Sequence, residues 1–202
     1  MRDTIVEIKR IGGVARVRLL SGETLKIPSA LFLMRRLRAG QEIDTEEYRQ
    51  YILKNGYSPA LETAVSYLTL RERSEQEIVA RLKRSCYPEE IIARVMETLR
   101  KHDFVSDARF AEQWVHHRAR QYGRNRISQE LKMKGVGSAE AGAALENLPP
   151  EEELASAEKQ AKKIARRLHG DETKIAQALV RRGYGWPVAR QAARKTVQNE
   201  DE

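Results

Sequence analysis

Cysteine is almost missing from this chain: Cys86 is the only one among 202 residues. A lone thiol closes no internal disulfide and builds no cysteine metal cage, so disulfide scaffolds and zinc ribbons are excluded as sources of order. Histidine is scarce too, with His102, His116, His117 and His169 the whole set. None stands in an HExxH pattern, and the neighbours His116 and His117 point in different directions on a helix. Long apolar runs are absent. The segment Met1-Arg2-Asp3-Thr4-Ile5-Val6-Glu7 meets charge at once, unlike the roughly 7–15-residue apolar stretch of a signal peptide, and nothing reaches the roughly 20 apolar residues of a membrane span. A cytoplasmic setting without a membrane partner is expected. The glycine-rich spots Gly12-Gly13 and Gly183-Tyr184-Gly185 match neither GxxxxGK[ST] nor GxGxxG. With no converging nucleophile, acid, base or ligand set, the chain makes no case for catalysis, a metal or a cofactor.

Charge is abundant. Thirty-seven Lys and Arg stand against twenty-nine Asp and Glu, a formal net charge of +8. It is spread thinly: 11 basic and 7 acidic residues in 1–60, 8 and 9 in 61–108, 7 and 4 in 109–150, and 11 and 9 in 151–202. No polycationic tail exists, so attraction to an acidic partner has to come from patches on folded faces. Apolar residues make up 41% of the chain, enough for a core.

Residues 4–27 alternate as strands do, through TIVEIKR, VARVRLL and ETLKI, with Gly12-Gly13 and Ser21-Gly22 at the joints. The pattern predicts an antiparallel sheet of two or three strands, too small to stand alone. Two short helices follow, one from Pro28-Ser29 toward Gly40 and one capped by Asp44 and stopping near Asn55-Gly56.

From Ser58 onward the chain reads as helix with a repeat. Superposing Leu82, Leu131 and Leu179 gives intervals of 49 and 48 residues. Ile78, Ile127 and Ile175 then stand four positions earlier, and Cys86, Gly135 and Gly183 four positions later. Tyr87, Val136 and Tyr184 follow, then Val95, Ala144 and Ala192. A register held through helix, turn and helix predicts stacked three-helix modules, since one such unit is too small to bury its own apolar faces. The predicted fold is mainly α: an N-terminal β-plus-helix region at 1–57, then three tandem three-helix repeats at 58–107, 108–148 and 154–202 in an elongated curved array. Pro149-Pro150-Glu151-Glu152-Glu153 is expected to be a flexible linker. Ser74 with Glu77 predicts a capping box, and Pro88-Glu89-Glu90 a helix start with proline as its first residue.

The basic residues are the candidate functional groups. Arg81, Lys83 and Arg84, then Lys132 and Lys134, then Arg181 and Arg182 recur at the module period near the ends of the second helices. There they serve equally well as a binding surface or as cations placed against a helix C-terminus, worth roughly 0.3–1 kcal/mol each. Arg118, Arg120, Arg124 and Arg126 bracket Tyr122 and Gly123, where guanidinium groups could reach phosphates or carboxylates in pairs. Lys162, Lys163, Arg166 and Arg167 form one face at i, i+4 spacing. These two groups are expected to contact a polyanion or an acidic protein. Tyr67, Trp114 and Tyr184 are assigned to the core, and Trp186 to neither core nor surface.

Several of these residues carry a resemblance. SYL at Ser66 to Leu68, the R-x-x-S-x-x-E-I of Arg71 to Ile78, the D-x-x-F-A of Asp107 to Ala111, Trp114-Val115 with Arg118, and Gly123-Arg124 leading to Ile127, Glu130-Leu131 and Lys134-Gly135 closely resemble the RecX family, regulators of the bacterial recombinase RecA. The match runs from about residue 61 to 148 and continues more weakly from 154 to 197. The resemblance implies three tandem three-helix repeats and no catalytic residues. It also implies binding to RecA and to its filament on single-stranded DNA, with restraint of ATP hydrolysis, strand exchange and coprotease activity. Some members bind DNA, so single- and double-stranded DNA are further expected partners, and the chain is expected to be a monomer. Among the matched positions, Arg71, Arg118, Arg124 and Lys134 are basic; the resemblance leaves open whether they touch a partner or brace the fold. A helical DNA-binding protein acting without RecA is the alternative.

Overall fold

Two glycine turns shape the first thirty residues. Strands β1 (Arg2–Ile11) and β2 (Val14–Leu19) are joined through Gly12, whose φ is 59°, and β2 passes to β3 (Thr24–Pro28) through Gly22 at 91°. Ala15, Val17 and Leu19 are buried while Arg16 and Arg18 face out, as alternation requires. The computed structural model describes residues 2–198 of the chain. It adds a strand to the two or three expected: β4 (Glu42–Asp44) pairs with the start of β1, Ile43 opposite Asp3, giving the antiparallel order β3-β2-β1-β4. Three residues show no readable alternation, so only pairing reveals this strand.

Between the strands lies α1 (Ser29–Met34), shorter than the run to Gly40 suggested, because the backbone leaves helical values at Arg35. Helix α2 (Thr45–Asn55) starts as expected, with the Asp44 side chain accepting from the backbone N–H of Glu46 and Glu47. Gly56 then has no room for a side chain, since a Cβ would lie 2.5 Å from Ile91 Cδ1.

The first module is α3 (Tyr57–Leu68), α4 (Glu75–Arg84) and α5 (Glu89–Lys101). Ser74 accepts from the Glu77 N–H at 3.2 Å, and Pro88 is the N-cap of α5 instead of its first residue. The sheet and this module share one core, from Ile5, Val17 and Leu31 to Ile78, Leu82 and Val95. That answers the smallness of the sheet: its inner face is buried in one core with α1, α2 and the module. This first compact unit extends to Ser106.

A second compact unit starts at Asp107. It holds α6 (Asp107–Arg118), α7 (Arg124–Met133) and α8 (Ser138–Glu146), then α9 (Pro150–Leu168), α10 (Glu172–Arg181) and α11 (Trp186–Gln198). The flexible linker expected at 149–153 does not exist. Pro150 is the first residue of α9, where a missing N–H costs nothing, and Glu151, Glu152 and Glu153 lie in the first turn, where the helix dipole favours acids. Proline and acids read as a break are the start of a 19-residue helix. Among the described residues no helix is long and apolar enough to cross a membrane.

The superposed positions behave alike. Ile78, Leu82, Ile127, Leu131, Ile175 and Leu179 are all 0% exposed. Tyr87, Val136, Tyr184, Val95, Ala144 and Ala192 are buried behind them. Cys86, Gly135 and Gly183 all have positive φ, at 62°, 77° and 90°. In each module the next residue donates back to the superposed leucine: Tyr87 to Leu82, Val136 to Leu131 and Tyr184 to Leu179. This left-handed exit suits glycine and strains cysteine. Replacing Cys86→Gly is therefore expected to stabilise the protein by roughly 0.5–1 kcal/mol, seen as a higher urea midpoint at unchanged slope.

Candidate partner-binding surface

The basic residues divide by what they touch. Arg118 is bound within its own module: its guanidinium grips the Glu130 carboxylate with Nε at 2.7 Å and Nη2 at 2.5 Å. Trp114 Nε1 donates to the same carboxylate at 3.2 Å, and Arg126 reaches it at 3.3 Å. Arg118 and Arg126 also lie over the Tyr122 ring, at 4.2 and 4.1 Å from its centroid. Glu130 thus collects three donors from two helices. Burial works to raise its pKa, but the hydrogen bonds and charge of Arg118, followed by Arg126 and Trp114, outweigh it and hold the carboxyl below its ordinary value.

Arg124 is more deeply tied. Its Nε meets Glu153 Oε2 at 2.7 Å and its backbone N–H meets Glu153 Oε1 at 3.1 Å, while Nη1 donates to the Leu145 carbonyl at 2.7 Å and Nη2 to the Leu148 carbonyl. The Glu153 side chain is 8% exposed. One guanidinium therefore fastens the start of α7 to the end of α8 and the start of α9. Beside it the chain of the second module meets that of the third: Gly123 N–H donates to Arg182 O and Asn125 N–H to Gly183 O, both at 3.1 Å. A Cβ on Gly123 would stand 2.3 Å from Tyr184 N, and one on Gly183 2.4 Å from Arg126 Cβ. The junction at Arg118 to Arg126, expected to reach a partner, is thus mostly a structural joint. Arg118 and Arg124 are spent on it, Arg126 is divided, and Arg120 is exposed, offering its carbonyl to Gln160 at 3.3 Å.

The second-helix clusters divide too. Arg71 pairs with Glu77 at 3.2 Å, Lys83 with Glu89 at 2.8 Å, and Arg84 turns back to the Ala80 carbonyl at 3.2 Å. Arg81 lies 5.9 Å from the Tyr67 ring centroid, Lys134 lies 4.3 Å from that of Trp114, and Arg182 bonds Gln160 at 3.1 Å. Of the core assignments, Tyr184 is fully buried, Tyr67 and Trp114 are half-buried, and Trp186 is exposed at the start of α11.

Of the candidate cations, those left without a partner among the described residues lie mostly in the last module. Lys162, Lys163, Arg166 and Arg167 are all exposed on α9, and Arg181 is exposed at the end of α10. Lys132 joins them from α7. Three further exposed cations of this module lie outside the expected set: Lys159 on α9, and Arg190 and Arg194 one helical turn apart on α11. For the pair on α11 a signal was available, since no Asp or Glu stands between Glu172 and Glu200.

Between α7 and α10 lies an open cleft of about 510 Å³. Its α7 wall carries Asn125, Arg126, Gln129 and Met133, and its α10 wall Val180 and Arg181. Among the described residues no three His, Cys, Asp or Glu side chains converge as a metal site would need.

Comparison with known proteins fits this architecture. Residues 60–99 match the family model described as RecX, first three-helix domain, and residues 106–145 that described as RecX, second three-helix domain. The chain is 30% identical over 182 residues to a regulatory protein RecX of Oceanobacillus iheyensis, covering 87% of this chain and 67% of that one. It is 27% identical over 173 residues to the Bacillus pumilus protein of the same name, covering 82% and 66%. The chain thus spans about two thirds of the length of these relatives, which are named as regulatory proteins and not as enzymes. A crystal structure of a regulatory protein RecX superposes with a TM-score of 0.63 at 26% identity, covering 92% of this chain and 96% of that one. RecX from Lactobacillus salivarius, 22% identical, shares the fold at a TM-score of 0.63 over 69% of this chain and 96% of that one.

Two outcomes follow from the joint. Glu153→Ala is expected to destabilise the protein by roughly 2–4 kcal/mol, because it strands the Arg124 guanidinium, measured by urea unfolding. The pH arm concerns Glu130, whose native pKa lies below the ordinary 4.5. Its contribution is complete above that ordinary value and is lost as pH falls through the lower native one. A Glu130→Gln protein should be less stable than the parent at neutral pH, with the gap narrowing on acidification below that value.

Proposed function

The chain belongs to the RecX family of regulatory proteins, and on that premise we propose that it binds RecA and the RecA filament on single-stranded DNA and mainly restrains it. Membership of this family implies a regulatory role in the RecA system. The finer reading is that the protein slows ATP hydrolysis, strand exchange and coprotease action by lying along the filament, without chemistry of its own. Binding energy is spread over several modules, so avidity matters more than any one contact.

The observation that carries the partner's character is the unpaired cationic surface of the last module. Lys162, Lys163, Arg166 and Arg167 lie in one stripe on α9 with no acid bound to any of them among the described residues. Lys83 and Arg71, in contrast, have found carboxylates. Leaving so many like charges together raises self-repulsion, which a polyanion or an acidic protein surface relieves. The same stripe favours the second reading, direct binding to DNA phosphates without RecA.

ATP turnover by RecA on single-stranded DNA tests the first reading. It is expected to fall as this protein is added, and unchanged turnover at saturation overturns the proposal. Direct DNA affinity tests the second: it should weaken steeply with salt, and Lys163→Ala should lower the slope of log affinity against log salt by about 1.

A further inference from the structure

The cleft between α7 and α10 differs from the cationic stripes in kind. Its walls combine two arginines, two amides and two apolar side chains left in the open: Met133 is 74% exposed and Val180 40% exposed. The module register sharpens the contrast. Arg84, Met133 and Arg181 occupy the same place, two residues after the superposed leucines. In the first module Arg84 folds back on the Ala80 carbonyl of its own helix. In the third, the Arg181 side chain makes no hydrogen bond or ion pair among the described residues. In the second, a flexible thioether stands where its counterparts are cations and projects beside the free arginine. Helix-end capping therefore explains Arg84 and neither of the other two.

The charges fit one kind of ligand. Glu130, the acid lining the cleft, already receives Arg118, Arg126 and Trp114. Its charge is balanced from behind, which leaves Arg126 free donors and Arg181 all of its own. Asn125 and Gln129 add amide donors and acceptors suited to a peptide backbone. A phosphate backbone would use the arginines but gain nothing from Met133 and Val180. Methionine adapts its shape to an entering apolar side chain, and about 510 Å³ is room for a small group of side chains.

We propose that this cleft is the seat of an acidic segment of a protein partner, which lodges one apolar side chain against Met133 and Val180 and sets carboxylates on Arg181 and Arg126. The proposal deepens the RecA reading, since it names the kind of surface the partner must offer, and it can be tested apart from it. The first probe is a short synthetic peptide with one leucine between glutamates, titrated into the full chain while the methyl resonances of Met133 and Val180 are followed. The expected result is a selective shift of both at roughly millimolar peptide, lost with a lysine-for-glutamate peptide and lost in Arg181→Glu.

The second probe is RecA turnover on single-stranded DNA. Met133→Asp and Arg181→Glu should each raise the concentration needed for half inhibition about tenfold, and Met133→Asp, which removes no cation, should keep direct affinity for a single-stranded oligonucleotide within about twofold of the parent and an unchanged thermal midpoint. Four outcomes overturn the cleft proposal: no methyl shift with the acidic peptide, inhibition by both variants equal to the parent, a parallel loss of oligonucleotide affinity in Met133→Asp marking a phosphate site, or methyl shifts on dilution of the protein alone marking self-association. If the peptide binds but the parent protein leaves RecA turnover unchanged, the cleft stands and the RecA reading falls.

Discussion

Each module depends on one buried pair: an isoleucine and a leucine one turn apart on a ten-residue second helix, Ile78 with Leu82, Ile127 with Leu131 and Ile175 with Leu179. A ten-residue helix is marginal in water by itself, because its costly nucleus is offset by few propagated bonds. Removing two branched side chains entirely from water contributes roughly 3–6 kcal/mol to each module. The residue four places after the leucine must then turn left-handed, so that the next residue can bond back and the third helix can fold over the pair. Everything else in the helical part is arranged around that turn.

Joining modules demands different chemistry. Where the second module meets the third, backbone approaches backbone, and Gly123 and Gly183 are needed because a Cβ at either would collide. Close approach takes water from the ends of three helices, and Arg124 with Glu153 satisfies them: one carboxylate caps the start of α7 while one guanidinium collects the last carbonyls of α8. Arg118 with Glu130 ties α6 to α7 through side chains alone. Much of the charge in the middle of the chain is therefore internal wiring, whereas the cations of the last module mostly face solvent.

This division bears on how a regulatory protein engages its partner. A surface of unpaired cations supplies long-range attraction and salt sensitivity but little discrimination among acidic partners. Discrimination needs shaped contacts with apolar anchors, and the cleft beside Met133, Val180 and Arg181 is such a place. Separating the two functions spatially allows affinity and specificity to be set by different residues.

The sequence alone determined the modules. Period-3.6 spacing, the Ile–Leu pair and the recurring turn residue are local properties, and local geometry obeys them in all three copies, even at Cys86, where the side chain is wrong for the backbone. The N-terminal alternation was legible for the same reason, apart from β4, which is too short to have a period. Tertiary structure alone decided what the charges do. Arg118 and Lys163 look alike in a sequence, and what distinguishes them is a carboxylate at 2.7 Å from one and solvent around the other. Glu130 lies 12 residues from its arginine and Glu153 lies 29 residues from its own. The Pro-Glu run at 150–153 suits a helix start and a break alike, and only the packing of Glu153 on Arg124 tells them apart. Apolar periodicity is fixed by the nearest turn of the chain, whereas an ion pair is fixed by whichever opposite charge the fold brings within about 3 Å.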